Sequence, residues 1–387
     1  MKRITSIDIT RGIVMVIMAL DHVRDLMHVD SITQSPTNLQ TTTPILFFTR
    51  WITYLCAPAF VFLAGTSAYL SLTRSKNVRE SRNFLFKRGF YLILLDLIIV
   101  DLALFFDPGY HTILFEVIAA IGFGFIILGL LYNASAKTVG IMGLLILCCH
   151  NLIPLIPLSQ NSTGQTVLNL LFNQTAIPLP GNRVFVMAYP PIPWVGIMLI
   201  GFAIGGSFVW PAKKRQDLFT WLAIVALVTF VILRFINVYG DPAIWSSQKT
   251  VMFTFLSFMN VTKYPPSLLF CLVTLGIMFF MIVVSEGSTG KVGKILAVYG
   301  KVPLFYFLVH FFLIHLLLLG LLLLQGFTWD QMNFTSGTFG RPGQIPSGIQ
   351  LWAIYLIWIG VVIMLYKPCL WFGKYKAANR YWWLKYI

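Results

Sequence analysis

Residues 11–28 read RGIVMVIMALDHVRDLMH. The stretch opens as an apolar helix and closes on Asp21, His22, Arg24, Asp25 and His28. Its length and character are those of a membrane span, and charged groups at the end of such a helix are costly unless they pair, face water or do chemistry. On an ideal helix, residues eleven apart differ by about 20° in direction, so Arg11, Met15, Met18, His22 and Asp25 form one stripe. A polar group therefore sits near each end of one face.

The rest of the chain agrees with a membrane setting. Its 387 residues are 58% hydrophobic and 11% charged, with a mean hydropathy of +0.80, which excludes a soluble globular domain. Apolar runs of roughly 20 residues, rich in Leu, Ile, Phe and Val without alternation, point to helices rather than to an outer-membrane barrel. The expected fold is all-α, a single polytopic helix bundle over residues 1–387. Its transmembrane helices, about ten, are placed near 7–29, 46–73, 85–106, 112–133, 138–157, 191–210, 218–239, 264–285, 295–325 and 351–370.

The net charge of +15 does not signal nucleic acid, because the basic residues fall between apolar runs. Lys2, Arg3 and Arg11 lie at the first span, with Arg74, Lys76, Arg79, Arg82, Lys87 and Arg88 between the second and third. With further groups at Lys213–Arg215, Lys291–Lys301 and Lys367–Lys385, they place both termini in the cytoplasm. Long loops at 30–45, 158–190, 240–263 and 326–350 then face outward, and Tyr189, Trp245 and Trp329 offer a binding face there. Cys56, Cys148, Cys149, Cys271 and Cys369 read as membrane-core residues without metal spacing, so no metal is expected. The charged first span lacks a cleavage site and is expected to remain as the first helix. No Walker motif is present, which argues against ATP-driven transport.

Several constellations carry chemistry. His22 and Asp25 are spaced i, i+3, while Asp21, Asp25 and His28 follow at i, i+4, i+7. A histidine oriented by Asp25 or Asp21 is a general base, with His22 as first choice and His28 as the alternative. The other reading is an ion network in which Arg24 neutralises both aspartates. Arg50 either snorkels or binds an anionic ligand or those aspartates. The run Ala64–Ala68 permits close helix approach.

Asp96, Asp101 and Glu116 read either as interhelical hydrogen-bond partners or as a proton relay. The relay gives the alternative function, a proton-coupled secondary transporter of a small solute. Lys263, with Tyr264 in Thr262–Ser267, positions a donor or acceptor anion or anchors its helix. Tyr306 and His310 share a face and His310 is a second functional candidate, whereas His315 points about 140° away. Arg234, Glu286, His111 and His150 are placed at span ends.

These residues also carry a family resemblance. Arg3-x-x-Ser6-x-Asp8-x-x-Arg11-Gly12, Asp21-His22-Val23-Arg24-Asp25, Arg50-Trp51, Ala57-Pro58-Ala59-Phe60-Val61-Phe62-Leu63-Ala64-Gly65 and Lys263-Tyr264-Pro265-Pro266-Ser267 resemble bacterial membrane proteins similar to the heparan-α-glucosaminide N-acetyltransferase catalytic domain. Pro191–Gly196 and Gly300–Tyr306 extend the likeness over nearly the whole chain. The resemblance implies an acyltransferase in the bacterial inner membrane that moves acetyl from cytoplasmic acetyl-CoA, its co-substrate, to an extracytoplasmic sugar or amino sugar. It also implies an essential histidine. The wider membrane acyltransferases resemble this chain in an Asp-x-x-Arg-Gly opening followed eleven residues later by a histidine, a position that His22 fills. The lysosomal enzyme's histidine lies farther along, which keeps His28 as alternative base. Arg11 and the basic inner loop are the expected CoA phosphate ligands; Arg24, Arg50, Lys263, Tyr264, Tyr306 and His310 complete the expected binding set. The lipid bilayer, the CoA thioester and the saccharide are the expected partners, and a homodimer stays open.

Overall fold

The structure, a computed structural model, describes residues 4–74, 77–155, 162–335, 337–343 and 345–386. Lys2, Arg3 and Lys76 of the basic set lie outside the described residues. The chain begins with α1 (Thr5–Met27), α2 (Pro44–Thr53), α3 (Cys56–Arg74) and α4 (Val78–Leu95). A π-helical turn at Asp96–Val100 leads into α5 (Asp101–Phe105), then β1 (Thr112–Phe115), α6 (Val117–Leu130) and α7 (Ala136–Cys149). After α8 (Thr163–Phe172) come β2 (Thr175–Leu179), β3 (Arg183–Met187), α9 (Pro191–Ile204), α10 (Ala212–Ile236) and α11 (Val251–Met259). The last helices are α12 (Leu268–Ser285), α13 (Lys291–Gly300), α14 (Pro303–Leu324) and α15 (Leu351–Ala378).

This is an all-α polytopic fold, 70% helical, with one small sheet. Among the described residues, seven spans are long and apolar enough to cross a membrane, against the ten expected. They match the expected second and fifth to tenth spans. The first and third expected spans, α1 and α4, carry too many charges to meet that measure, and α6 is a shorter apolar helix. The expected ninth span is two helices, because Pro303 starts α14 after a break at Lys301–Val302. The expected fourth span begins as β1, which pairs parallel to β3 (Ile113 opposite Phe185); β2 runs antiparallel on the other side of β3.

Helix α1 is the axis of the bundle, packed by α2, α3, α12, α13, α14 and α15. Its contact with α13 is backbone on backbone: a Cβ on Gly12 would collide with the Leu296 carbonyl, and one on Gly300 with the Asp8 carbonyl. The α3–α9 pair meets in the same way at Gly65 and Gly201, and Thr66 Oγ1 donates to the Gly201 carbonyl at 3.0 Å. Small residues are the usual means of such approach between membrane helices. Cys56, Cys271 and Cys369 are buried, while Cys148 and Cys149 lie on the outside of the bundle, within the candidate span Ala136–Ile153.

Loops at the His28 end of α1 are clamped by buried arginines. Arg341 donates to the carbonyls of His28 (2.7 Å) and Val29 (3.2 Å) and to Ser31 Oγ (2.8 Å), which fastens the 326–350 loop to the end of α1. Arg234 donates to the carbonyls of Ala243, Ser257, Phe258 and Asn260. It and His150 are buried at the ends of α10 and α7, the span ends where they were expected; burial of the guanidinium is tolerated because carbonyls satisfy its donors. Glu286 pairs with Arg215 at 2.5 Å and His111 with Asp107 at 2.9 Å.

Candidate active site

Three cavities follow one another along α1. The near cavity, about 290 Å³, surrounds Arg11 and Met15, and Arg88, Lys301 and Lys376 bring further basic groups to its wall. The central cavity, about 270 Å³, contains Met18, Asp21, His22 and Asp25 of α1. The far cavity, about 400 Å³, opens among Asp25, Pro36, Tyr54, Asn260 and Thr262. Near and central cavities share Phe60, Val117 and Phe307, an apolar partition. Central and far cavities share Asp25, Arg50, Lys263 and Tyr264, a charged one. The stripe from Arg11 to Asp25 thus lines the near and central cavities.

His22 meets His310, Nδ1 to Nε2, at 2.6 Å. The opposite nitrogen of His310, Nδ1, lies 2.6 Å from the Phe307 carbonyl and 3.1 Å from that of Tyr306. Carbonyls only accept, so His310 Nδ1 carries a proton. His310 is fully buried with no carboxylate beside it, a place that favours neutral imidazole, and its Nε2 is then the acceptor. His22 Nδ1 donates to it, which leaves His22 Nε2 unprotonated. That atom makes no hydrogen bond among the described residues, on a ring that lines the central cavity. Phe311 stacks on His22 with centroids 4.2 Å apart, and Phe307 meets its edge at 6.3 Å. A neutral histidine with a fixed tautomer and a free nitrogen can act as general base or nucleophile.

The orienting group is therefore His310, not Asp21 or Asp25 as expected. The carboxylates are consumed by arginines: Asp21 accepts from Arg24 (2.7 Å) and Arg50 (2.5 Å), and Asp25 from Arg24 (2.8 Å). Two buried guanidiniums are stronger partners than an imidazole, since they hold full charge. Arg24 is 1% exposed and lines none of the three cavities, so it is a structural cation rather than a substrate ligand. His28 caps the end of α1 and borders a pocket of about 10 Å³, and it does not line the central cavity. Tyr306 is buried and stacks on His310 with centroids 5.4 Å apart, which supports the relay from behind. His315 serves another neighbourhood: its Nδ1 meets the Leu104 carbonyl at 2.9 Å and its ring stacks on Phe106.

The remaining expected residues divide by cavity. Arg11 donates to the Leu63 carbonyl (3.0 Å) and Ser67 Oγ (2.6 Å) at the near cavity. Tyr264 lines the central and far cavities and its hydroxyl lies 3.2 Å from that of Tyr189. Lys263 stands among Tyr54, Tyr189 and Tyr264, with ring centroids 4.9–5.9 Å from its ammonium. Asp96 and Asp101 accept from backbone: Asp96 from Glu116 N at 2.8 Å, Asp101 from Leu114 N at 3.0 and 3.1 Å. They fix the start of α6 and the strand before it. Glu116 itself lines the central cavity. Tyr189, expected on an outer binding face, lines the central cavity, and Arg88 is the member of the basic inner loop that lines the near one; Cys56 and Lys376 are lining residues that the sequence did not single out as site residues.

No curated protein matches this chain. A family model described as heparan-alpha-glucosaminide N-acetyltransferase, catalytic, matches residues 3–236, which hold α1 to α10 and with them His22, Arg50 and Glu116. The apolar helices and this match make the chain a multi-pass membrane protein of acetyltransferase type. It belongs to the heparan-alpha-glucosaminide N-acetyltransferase catalytic-domain family.

Proposed function

We propose that this chain is a transmembrane acetyltransferase of the bacterial inner membrane. It takes acetyl from acetyl-CoA at the near, cytoplasmic face and gives it to a sugar or amino sugar at the far face. The observation that carries this reading is the relay from the Phe307 carbonyl through His310 to His22, set in the middle of three successive cavities. Arg11, Arg88, Lys301 and Lys376 supply the cationic wall for the CoA phosphates. From Arg11 to His22 is about 17 Å along a helix at 1.5 Å per residue, a span suited to an extended pantetheine arm.

His22 Nε2 takes the proton as the acceptor's nitrogen or oxygen attacks the thioester carbonyl. The C–S bond breaks, and His22 returns that proton to the CoA sulfur, so the base is restored. A two-step route through acetyl-His22 uses the same lone pair. Asp101 and Oδ2 of Asp96 accept from backbone N–H groups, which favours the hydrogen-bonding reading of these two carboxylates over the proton relay.

The test uses purified protein in liposomes with radiolabelled acetyl-CoA and glucosamine. Labelled N-acetyl product is expected with wild type and none with His22→Ala of normal fold. Solute uptake under a pH gradient without product would overturn the reading.

A further inference from the structure

Two opposite charges in the central cavity are not used by the relay. Lys263 is 7% exposed, and its ammonium has no ion pair or hydrogen bond among the described residues and lies beside the rings of Tyr54, Tyr189 and Tyr264. The Glu116 carboxylate likewise makes no ion pair or hydrogen bond there. The ammonium and the carboxylate lie more than 4.0 Å apart, beyond ion-pair distance. Lys263 is buried and Glu116 partly exposed, both at the wall of the central cavity, and a charge held there without a direct partner is destabilised until a ligand supplies one.

Both side chains project from backbone that is tightly held. Asp241 accepts from Thr262 N (2.8 Å), Thr262 Oγ1 (2.8 Å) and Ser267 Oγ (2.5 Å), which brackets Lys263. Asp96 accepts from Glu116 N, and β1, immediately before it, is fixed by Asp101 and by pairing with β3. The held backbone on each side limits how far the two charges can shift to meet each other. Their separation is the space for a ligand.

We propose that Glu116 and Lys263 together bind an acceptor bearing an amino group and an acidic group on one saccharide-sized unit. The ammonium sits on Glu116 and the acidic group, carboxylate or phosphate, on Lys263. This rests on the acetyltransferase reading and deepens it. The proton count supports a second base. An ammonium loses two protons on acylation, and His22 offers one lone pair. Glu116 takes the first, which leaves a neutral amine; that amine attacks the thioester, His22 takes the second, and the CoA thiolate receives it from His22. The proton on Glu116 leaves to water through the far cavity.

The experiment measures transfer from radiolabelled acetyl-CoA to glucosamine, glucosamine 6-phosphate and muramic acid by the reconstituted full chain. Wild type is expected to favour the two acidic amino sugars at least tenfold in kcat/KM, the two probes separating phosphate from carboxylate. Lys263→Gln is expected to lower kcat/KM for the two acidic amino sugars at least tenfold more than for glucosamine, so that the preference is lost, and Lys263→Arg to restore it. Glu116→Gln is expected to lose at least tenfold in kcat/KM at neutral pH and to recover as rising pH supplies free amine. Equal use of all three probes by wild type, a preference that survives Lys263→Gln, or a Glu116→Gln pH profile like that of wild type would overturn the proposal alone. No amine acetylated by wild type would overturn the acetyltransferase reading with it.

Discussion

His22 is held by two features of different origin. Its position on the α1 stripe comes from spacing, and its tautomer comes from His310 on a helix 288 residues away in sequence. His310→Ala frees the imidazole to rotate and to place its proton on either nitrogen. We expect kcat to fall about 10²-fold with little change in KM for acetyl-CoA, within the range a positioned base contributes. Steady-state kinetics with labelled donor checks this. Asp21→Asn is a different lesion: it leaves Arg24 and Arg50 buried with one carboxylate between them. Breaking one member of such a network costs about 3–5 kcal/mol, so a lower melting temperature is expected rather than an altered pH profile. The pairing of His22 with a carboxylate was the natural reading of an i, i+3 spacing. It gives way to the other reading of the same residues, the ion network: Arg24 pairs with both aspartates and Arg50, from α2, adds a second pair to Asp21.

At the scale of elements, close approach decides what can be changed. Gly12→Val would drive a side chain into the Leu296 carbonyl and part α1 from α13, and loss of folded protein on size-exclusion chromatography is expected. Gly320 of α14 has open space around its missing Cβ, so Gly320→Ala is expected to raise stability by about 0.5–1 kcal/mol through helix propensity. The turn before β1 gives a pH dependence. Burial raises the Asp107 carboxyl, but hydrogen bonds from His111 and Gly109 outweigh it and hold the group below the ordinary carboxylate range. A depressed carboxyl stabilises fully above its unfolded pKa of about 4 and loses that contribution as pH falls through the lower folded value. Faster hydrogen exchange across Thr112–Phe115 in acid, and its loss of pH dependence in Asp107→Asn, is the expected result. The sequence showed the apolar helices because length and hydropathy suffice for them. It hid β1 and the α13–α14 break, because a short apolar strand and a proline inside an apolar run leave hydropathy unchanged. What makes Thr112–Phe115 a strand is β3, some seventy residues on.

In the whole molecule, the near and central cavities share the side chains of Phe60, Val117 and Phe307. Phe60→Trp is expected to stop acetyl transfer while acetyl-CoA still binds at the near cavity, as measured by equilibrium binding. Phe60→Ala is expected to admit water and release CoA from acetyl-CoA when no acceptor is present. The same three side chains carry a duty unrelated to acetyl groups. A row of cavities through a bilayer is a leak unless some part of it stays dry, and a hydrophobic constriction blocks ions by refusing them hydration. In the proposed transfer, the apolar partition would let a thioester arm work across the membrane while the ion gradients of the cell stay charged.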